Sequence, residues 1–399
     1  MSIKKTHKIP TPELLSPVGN FQTLHAAIKA GCDAVYLGLK EFSMRDSAKN
    51  FTLTELKKVH SVCSSSNVKL YLTLNTIIYS NEIPKLSKLI PKAKSLVDAI
   101  ICWDPSVIQL CKKYKIPFFI STQASVSNQD SAKFYKKLGA KRIIPARELN
   151  IKQMKQLSKI IPIEIFCHGA LCVSYSGRCF TSQFLHCKSA NRGMCQQPCR
   201  ESYTITDKDG NKLKLENSKV MSAKDLCTLP FIDKLKPFVS SFKIEGRNRD
   251  PEYVFAVTSA YRQAIDKKLT KSEINKLLKE LEKVYNRGFS LGFYINSPTS
   301  DDLSKSDHGE QTQSKQFIGK VFKFWPKPKV AGIHLNAGKL KVGDEILIIG
   351  KETFIQTKII SMEIDGKSVS EIKKGEDVGI KLPNKVRVND EVYLVVENK

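Results

Sequence analysis

Short apolar, β-branched runs alternate with helical patterns over the first two thirds of this chain, and no other feature restricts its fold so strongly. The runs read PELLSPVG, AVYLGL, KLYLTLNT, AIICWD, PFFISTQAS, RIIPARE, IEIFCHG and, after an interruption, VSSFKIEGR. Between them lie amphipathic stretches such as NFQTLHAAIKAG, TLTELKKVHSVCSSS and QDSAKFYKKLGA. Strands buried on both faces read as continuous apolar runs, and regular alternation with helices calls for parallel βαβ units. Eight such units predict an α/β fold, a (β/α)8 TIM-like barrel. A doubly wound open sheet is the alternative, but no G-x-G-x-x-G follows the first strand.

The polar ends of these runs carry the next signal. Asn75, Asp104, Gln123, Glu148, Glu245 and Arg247 each close a predicted strand. In a barrel such positions gather at the C-terminal rim, where active sites are built. His168 closes the seventh strand, and a Cys-rich insertion (164–200) follows and hangs over the same mouth. The barrel is expected over 1–295 and a polar linker over 296–315. From 316 to 399 short strands separated by Gly, Lys and Asp turns predict a small all-β barrel. Its LKVGDEILIIG…GEDVGIKL pattern resembles the β-barrel domain of translation elongation factors, which points towards RNA binding.

Lys and Arg number 65 against 39 Asp and Glu, a formal charge of +26. That excess suits a polyanionic partner, nucleic acid first, because cations displace counterions from a phosphate backbone. A surface tuned for solubility is the plainer reading. No apolar run approaches the length of about 20 residues that a membrane span needs, so no membrane partner is expected. The start, MSIKKTHKIPTPELLSP, lacks the apolar core of a secretory signal. A cytoplasmic location is expected, in which thiols stay reduced.

Cys172, Cys179, Cys195 and Cys199 form the pattern C-x6-C-x15-C-x3-C, with Cys167 and Cys187 nearby as spectators or alternative ligands. Clustered reduced thiols suit a metal. Zinc favours closely spaced pairs at both ends of its motif, and only Cys195 and Cys199 meet that spacing. Irregularly spaced thiolates on a loop suit an iron–sulfur cluster, and both metals stay open at this point. Ser202 stands where the C-x3-C-x2-C triplet of radical chemistry with S-adenosylmethionine would need its third cysteine, so that chemistry is not expected. His168 lies four residues before Cys172 and raises the option of a Cys–His hydrolase, although crowded thiols add nothing to a dyad. Cys32, Cys63, Cys102, Cys111 and Cys227 sit in apolar runs and read as small core residues.

EIFCHGALCVSYSGRCFTSQ followed by NRGMCQQPCR resembles the signature of peptidase family U-32, the collagenase-like proteases. ELLSPVGNFQTLHAAIKAGCDAVYLGLKEFSMRDSAKNF and SFKIEGRNRDPEYVFAVTSAYRQAID resemble that family's early and late barrel segments, so the likeness spans roughly residues 10 to 290. It implies one of two activities. Members resembling oxygen-independent hydroxylation proteins carry a [4Fe–4S] cluster and act on tRNA wobble uridine, ribosomal RNA cytidine or a quinone. The family name implies instead a peptidase of collagen-like or unfolded chains. By resemblance the cluster ligands are Cys172, Cys179, Cys195 and Cys199, with zinc the alternative metal, and prephenate is the implied hydroxyl donor. The presence of Cys199 sides with the RNA-acting members. The resulting expectation is 5-hydroxyuridine formation in tRNA, or modification of ribosomal RNA. Glu148, Glu245 and His168 would be catalytic. Arg45, Asn75, Gln123, Arg178 and Arg247 would bind substrate or a small carboxylate co-substrate. An electron donor or a paired family member is the further expected partner.

Overall fold

In the computed structural model, which describes residues 11–212, 219–306 and 309–398, all eight apolar runs are strands of one parallel wall. They are β1 (Glu13–Pro17), β2 (Ala34–Gly38), β3 (Lys69–Leu74), β4 (Ala99–Cys102), β5 (Phe118–Ile120), β6 (Arg142–Ile143), β7 (Glu164–Gly169) and, after the short β8 (Asp225–Cys227), β9 (Ser241–Ile244). β1 to β6 pair in sequence, and β9 joins β7 to β1. One parallel bridge, Ile143 to Ile163, closes the circle, with the Ile143 N–H donating to Pro162 O at 3.1 Å. The wall is thus an α/β barrel of TIM-like design.

Local chemistry sets the helices. Asn20, Thr52 and Asn150 cap the helices Phe21–Lys29, Leu53–Ser65 and Ile151–Ser158, each with a reciprocal bond from the third helical residue. Capping of this kind satisfies backbone donors that otherwise have no partner. Asp104 is also a cap: its Oδ1 accepts from Ser106 N at 2.9 Å, which is its role at the end of β4. The helices bury Leu24, Ala27, Leu56, Val59, Val107 and Cys111 against the wall. Cys32, Cys63, Cys102 and Cys227 are buried as well.

The sequence pattern did not reveal β8 and β10 (Phe289–Ser290). β8 runs antiparallel to the end of β7 and parallel to β10, adding a small flap at the mouth. A strand of two or three residues is too short to show an alternation. In the polar stretch after 295, Ser300–Asp302 forms a helical turn and a strand begins at Gln313, while Asp307 and His308 lie outside the described residues. The C-terminal part is all-β, an eight-stranded antiparallel sheet and a two-stranded ribbon around Ile318, Ile333, Ile346, Ile348 and Ile380. It is anchored to the barrel by Phe354, whose ring stacks 4.9 Å from Phe255 and whose carbonyl accepts from Lys29 Nζ at 2.7 Å. Among the described residues, no helix is long and apolar enough to cross a membrane.

Inside the barrel, charged residues replace part of the apolar filling. Arg142 Nη1 donates to Glu13 Oε1 (2.7 Å) and to Glu164 Oε2 (3.0 Å), and Lys243 Nζ donates to Glu164 Oε1 (2.8 Å). Tyr71 and Ser241 complete the set by donating to Glu13. Burial alone would raise the Glu13 pKa, but Arg142, Tyr71 and Lys69 hold it below the ordinary carboxylate range. Removing one member of a buried ionic set leaves uncompensated charge and costs about 3–5 kcal/mol. Glu164→Ala, which strands Arg142 and Lys243, is therefore expected to lower stability by about that amount in urea denaturation. Lys133→Ala, which removes an exposed pair with Asp130, should change it by less than about 1 kcal/mol.

Candidate active site

At the C-terminal ends of the strands lies a cavity of about 180 Å³. Three groups of residues line it. Arg45, Arg147, Lys243, Arg247, Arg249, Arg200 and Arg287 form a cationic ring around Glu245, the single lining carboxylate among the described residues. Cys172, Cys195 and Cys199 close one side, and Asn75, Gln123, Tyr36 and Thr73 supply neutral polar groups.

Arg45 is half-buried and grips Glu245 Oε1 with Nε (3.1 Å) and Nη2 (2.8 Å). Arg247 is 4% exposed, and its Nη1 donates to Ser43 Oγ at 2.6 Å and Thr73 Oγ1 at 3.1 Å. The backbone of β2 admits this guanidinium only because residue 38 is glycine: a Cβ there would stand 2.3 Å from Arg247 Nη1. Burial and the neighbouring Arg45 push the Arg247 pKa down to about 10, so the group stays charged at neutral pH. Arg147 stacks 4.5 Å from the Phe166 ring and donates through Nη1 to Ala170 O at 2.9 Å. Its Nη2 is buried with no hydrogen-bond partner among the described residues. Crowded guanidiniums with an unspent donor have one cheap remedy, an incoming anion.

Glu245, expected to be catalytic, lines the mouth. Burial pushes its pKa up, but Arg45, Arg247 and Arg147 outweigh burial and hold it low, so it is an ionised partner and not a proton donor. Glu148 lies outside the cavity. It is exposed and accepts from Tyr175 Oη at 3.5 Å, while its neighbour Arg147 faces the mouth. Arg178 is also exposed. It clamps the insertion to the barrel by stacking 5.3 Å from Trp103 and donating to Gln123 O at 3.3 Å. Gln123 is spent on Ser121 Oγ and on Ser176 O (3.4 Å), and Asn75 Oδ1 accepts from Met44 N at 3.2 Å. His168 is 1% exposed among Tyr253, Tyr261 and Phe289, and burial drops its pKa to about 3. It is a neutral core histidine that does not line the cavity.

The insertion is held over the mouth by the loops after β2 and β3. Gly193 O accepts from Asp46 N at 3.1 Å, and a Cβ at Gly193 would meet Ser43 O at 2.3 Å. Arg192 forks onto Glu82, donating to Oε2 at 2.8 Å and also to Oε1, and stacks 4.6 Å from Tyr79. Asn191 Oδ1 accepts from Cys179 N at 3.2 Å. All four cysteines of the pattern are free and half-buried. Burial pushes the Cys199 thiol up, and the nearby Cys172, Cys195 and Cys179 add to that push. Around Cys179 burial also pushes up, but hydrogen bonds from Thr181 and Ser174 prevail and its pKa is lowered.

Among the described residues, no three His, Cys, Asp or Glu side chains converge closely enough to share one metal ion. A single zinc needs its sulfur ligands about 2.3 Å from one point. A four-iron cluster takes its thiolates at separate corners; Cys172, Cys195 and Cys199 line the cavity, and Cys179 lies on the same excursion outside that lining. Cys167 is buried, its thiol 3.4 Å from Lys243 O, and Cys187 is exposed at the end of the helix Thr181–His186. Neither lines the cavity.

Sequence reasoning missed Arg147, Lys243 and Arg249, and it also missed Asp225 on β8. Asp225 is 1% exposed with Arg287 Nη1 at 3.7 Å, and burial raises its pKa against the pull of Arg287, Arg249 and Arg200. Arg147 and Arg249 stand one and two residues from the chosen strand ends, so a wider window at each end would have found them.

The profile of peptidase family U32 matches residues 19–304. An uncharacterized protease of Methanocaldococcus jannaschii is 42% identical, over 96% of this chain and 98% of its own. A collagenase of Porphyromonas gingivalis is 37% identical, over 96% and 97%. A tRNA hydroxylation protein of Bacillus subtilis is 33% identical, over 86% and 84%.

The burial of His168 has a pH consequence. An unfolded imidazole titrates near 6.5, while the folded one resists protonation down to about 3. The unfolded state therefore binds the proton first, and stability falls as pH drops from about 6.5 towards 3. His168→Phe removes that titration within an aromatic nest. Between pH 7 and pH 4 the variant should gain about 3 kcal/mol on the parent chain, read from denaturation midpoints at both pH values.

Proposed function

The chain belongs to peptidase family U32, and from that premise we propose that it is an iron–sulfur enzyme that hydroxylates a base of structured RNA without molecular oxygen. The substrate we favour is the wobble uridine of tRNA, converted to 5-hydroxyuridine. The observation that carries the reading is the composition of the mouth: seven cations and one carboxylate facing a wall of thiols. A related protein from Bacillus subtilis is named for tRNA hydroxylation, and the +26 charge suits a polyanion.

In this reading Cys172, Cys179, Cys195 and Cys199 hold a [4Fe–4S] cluster. When bound, the cluster supplies a redox-active, Lewis-acidic centre at the edge of the mouth. The chain's own residues do the rest. Arg147 and Arg247 bind the carboxylates of a small hydroxyl donor, for which prephenate has the right charge, and Arg147 Nη2 gains the partner it lacks. Arg45 keeps Glu245 ionised, so Glu245 orients donors on the base and limits how many anions the ring admits. Asn75, with its oxygen committed to Met44, offers its amide hydrogens to the base edge. Tyr36 and Phe166 wall the site and keep water out, which strengthens each charged contact.

Two relatives are named as a protease and a collagenase, but a Cys–His hydrolase needs its imidazole beside a thiol at the site. His168 is sealed and neutral away from the cavity, which argues against a peptidase of that kind.

Anaerobically purified protein is expected to be brown, with iron and sulfide in equal amounts. Cys172→Ala and Cys179→Ala should each lose most of that iron. Mass spectrometry of tRNA nucleosides from a deletion strain should show loss of the 5-hydroxyuridine-type signal. Arg147→Met should lower the signal at least tenfold while retaining the iron, the cost of about 1.4 kcal/mol or more expected for a lost charged hydrogen bond. Unchanged tRNA and ribosomal RNA nucleosides in the deletion strain would reject the reading, and a colourless zinc protein would reject the cluster.

A further inference from the structure

We infer that a second cavity, between the barrel and the all-β part, binds the base of the nucleotide next to the one held in the mouth, and that it selects a base bearing an exocyclic amino group. This rests on the RNA reading above and assigns a new site to it.

The cavity measures about 420 Å³, a size suited to a small-molecule group. Its walls are the start of the helix Pro251–Asp266, the turn after the helix Lys271–Lys283, and the first strand of the all-β part, Gln313–Trp325. Asn248 and Arg249 line both this cavity and the mouth, so the two are neighbours separated by one short segment. A chain with one base in the mouth passes its next base here without a long detour.

The chemistry of the two cavities differs. The mouth has a large excess of cations. Here Arg249, Lys283 and Lys315 face Asp250, Glu252 and Glu280, so the charges balance. A phosphate or a carboxylate gains little from such a lining, whereas a neutral planar base does. Arg249 already lies flat over an aromatic ring, 3.7 Å from the centroid of Tyr285 and 5.8 Å from that of Tyr253. A guanidinium stacked on tyrosine extends a π surface on which a base can stack.

Selectivity comes from two acceptors. Glu252 Oε2, whose fellow oxygen pairs with Lys315, and Gln311 Oε1 are buried and have no hydrogen-bond partner among the described residues, and both residues line the cavity. Such acceptors favour a ligand with several N–H donors on one edge. Adenine, cytosine and guanine carry an amino group. Uracil has a single ring N–H and two carbonyl oxygens that would face the same acceptors, so it is disfavoured.

The test uses the full chain and four dinucleotide probes, ApU, UpA, UpU and the UpA analogue with purine in place of adenine. Binding is read by equilibrium dialysis at fixed salt. An adenine-bearing dinucleotide is expected to bind about tenfold more tightly than UpU, and the purine analogue should fall to the UpU level. Gln311→Met removes one of the two acceptors and should narrow the gap between the adenine-bearing probe and UpU at least about threefold, with the melting temperature unchanged. Equal binding of all probes overturns the proposal, as does a preference undiminished by Gln311→Met. Free AMP binding as tightly as the best dinucleotide overturns the assignment to a neighbouring RNA base. Because dialysis reads no hydroxylation, selective binding with unchanged tRNA nucleosides would reject the proposed reaction and keep the site. Absent selectivity with intact hydroxylation would reject the site alone.

Discussion

Glu13, Arg142, Glu164 and Lys243 form one hydrogen-bonded chain of charges through the barrel interior, and the wall around them is built on β1, β6, β7 and β9. Such a set is tolerable in a dry interior only when every member is paired. A register slip of one residue in any of those strands would turn a charged side chain out of the barrel and strand its partner. The set thereby fixes which strands adjoin, including the sparse closure between β6 and β7. Its last member, Lys243, also lines the mouth and sits 4.1 Å from the Tyr36 ring. The floor of the site and the scaffold are therefore the same structure.

Above that floor, fixed and adaptable parts are separated. Arg247 is locked by Ser43, Thr73 and the missing side chain of Gly38. The thiols ride on an excursion held by a few discrete contacts, chiefly Arg192 on Glu82, Arg178 on Trp103 and Gly193 against Ser43. The cationic ring can thus keep its geometry while the sulfur side adjusts to what it binds. A buried arginine with an unspent nitrogen is costly in an empty mouth and useful in a filled one.

The barrel was legible because each buried parallel strand had to be almost wholly apolar, so AVYLG and AIIC announced themselves. β8 and β10 were not, since three residues and two residues hold no period. At the strand ends the residue type was informative but the facing was not. Glu148 and Arg147 are adjacent in sequence, and only the path of the chain after β6 turns Arg147 to the mouth and Glu148 to solvent. His168 was ambiguous for another reason: its role depends on Tyr253, Tyr261 and Phe289, which lie far along the chain. The thiols were visible as a group, while the cations opposite came from seven separate positions and showed in sequence only as a high net charge.

One feature of the wall bears on how the protein is made. β7 and β9 pair directly with each other, and the cysteine-bearing excursion leaves and re-enters between them without contributing a strand to the closed circle. The hydrogen-bonded ring is topologically complete without it. The scaffold can therefore close on its own backbone hydrogen bonds, and the excursion can order over the mouth afterwards without any strand of the circle having to open.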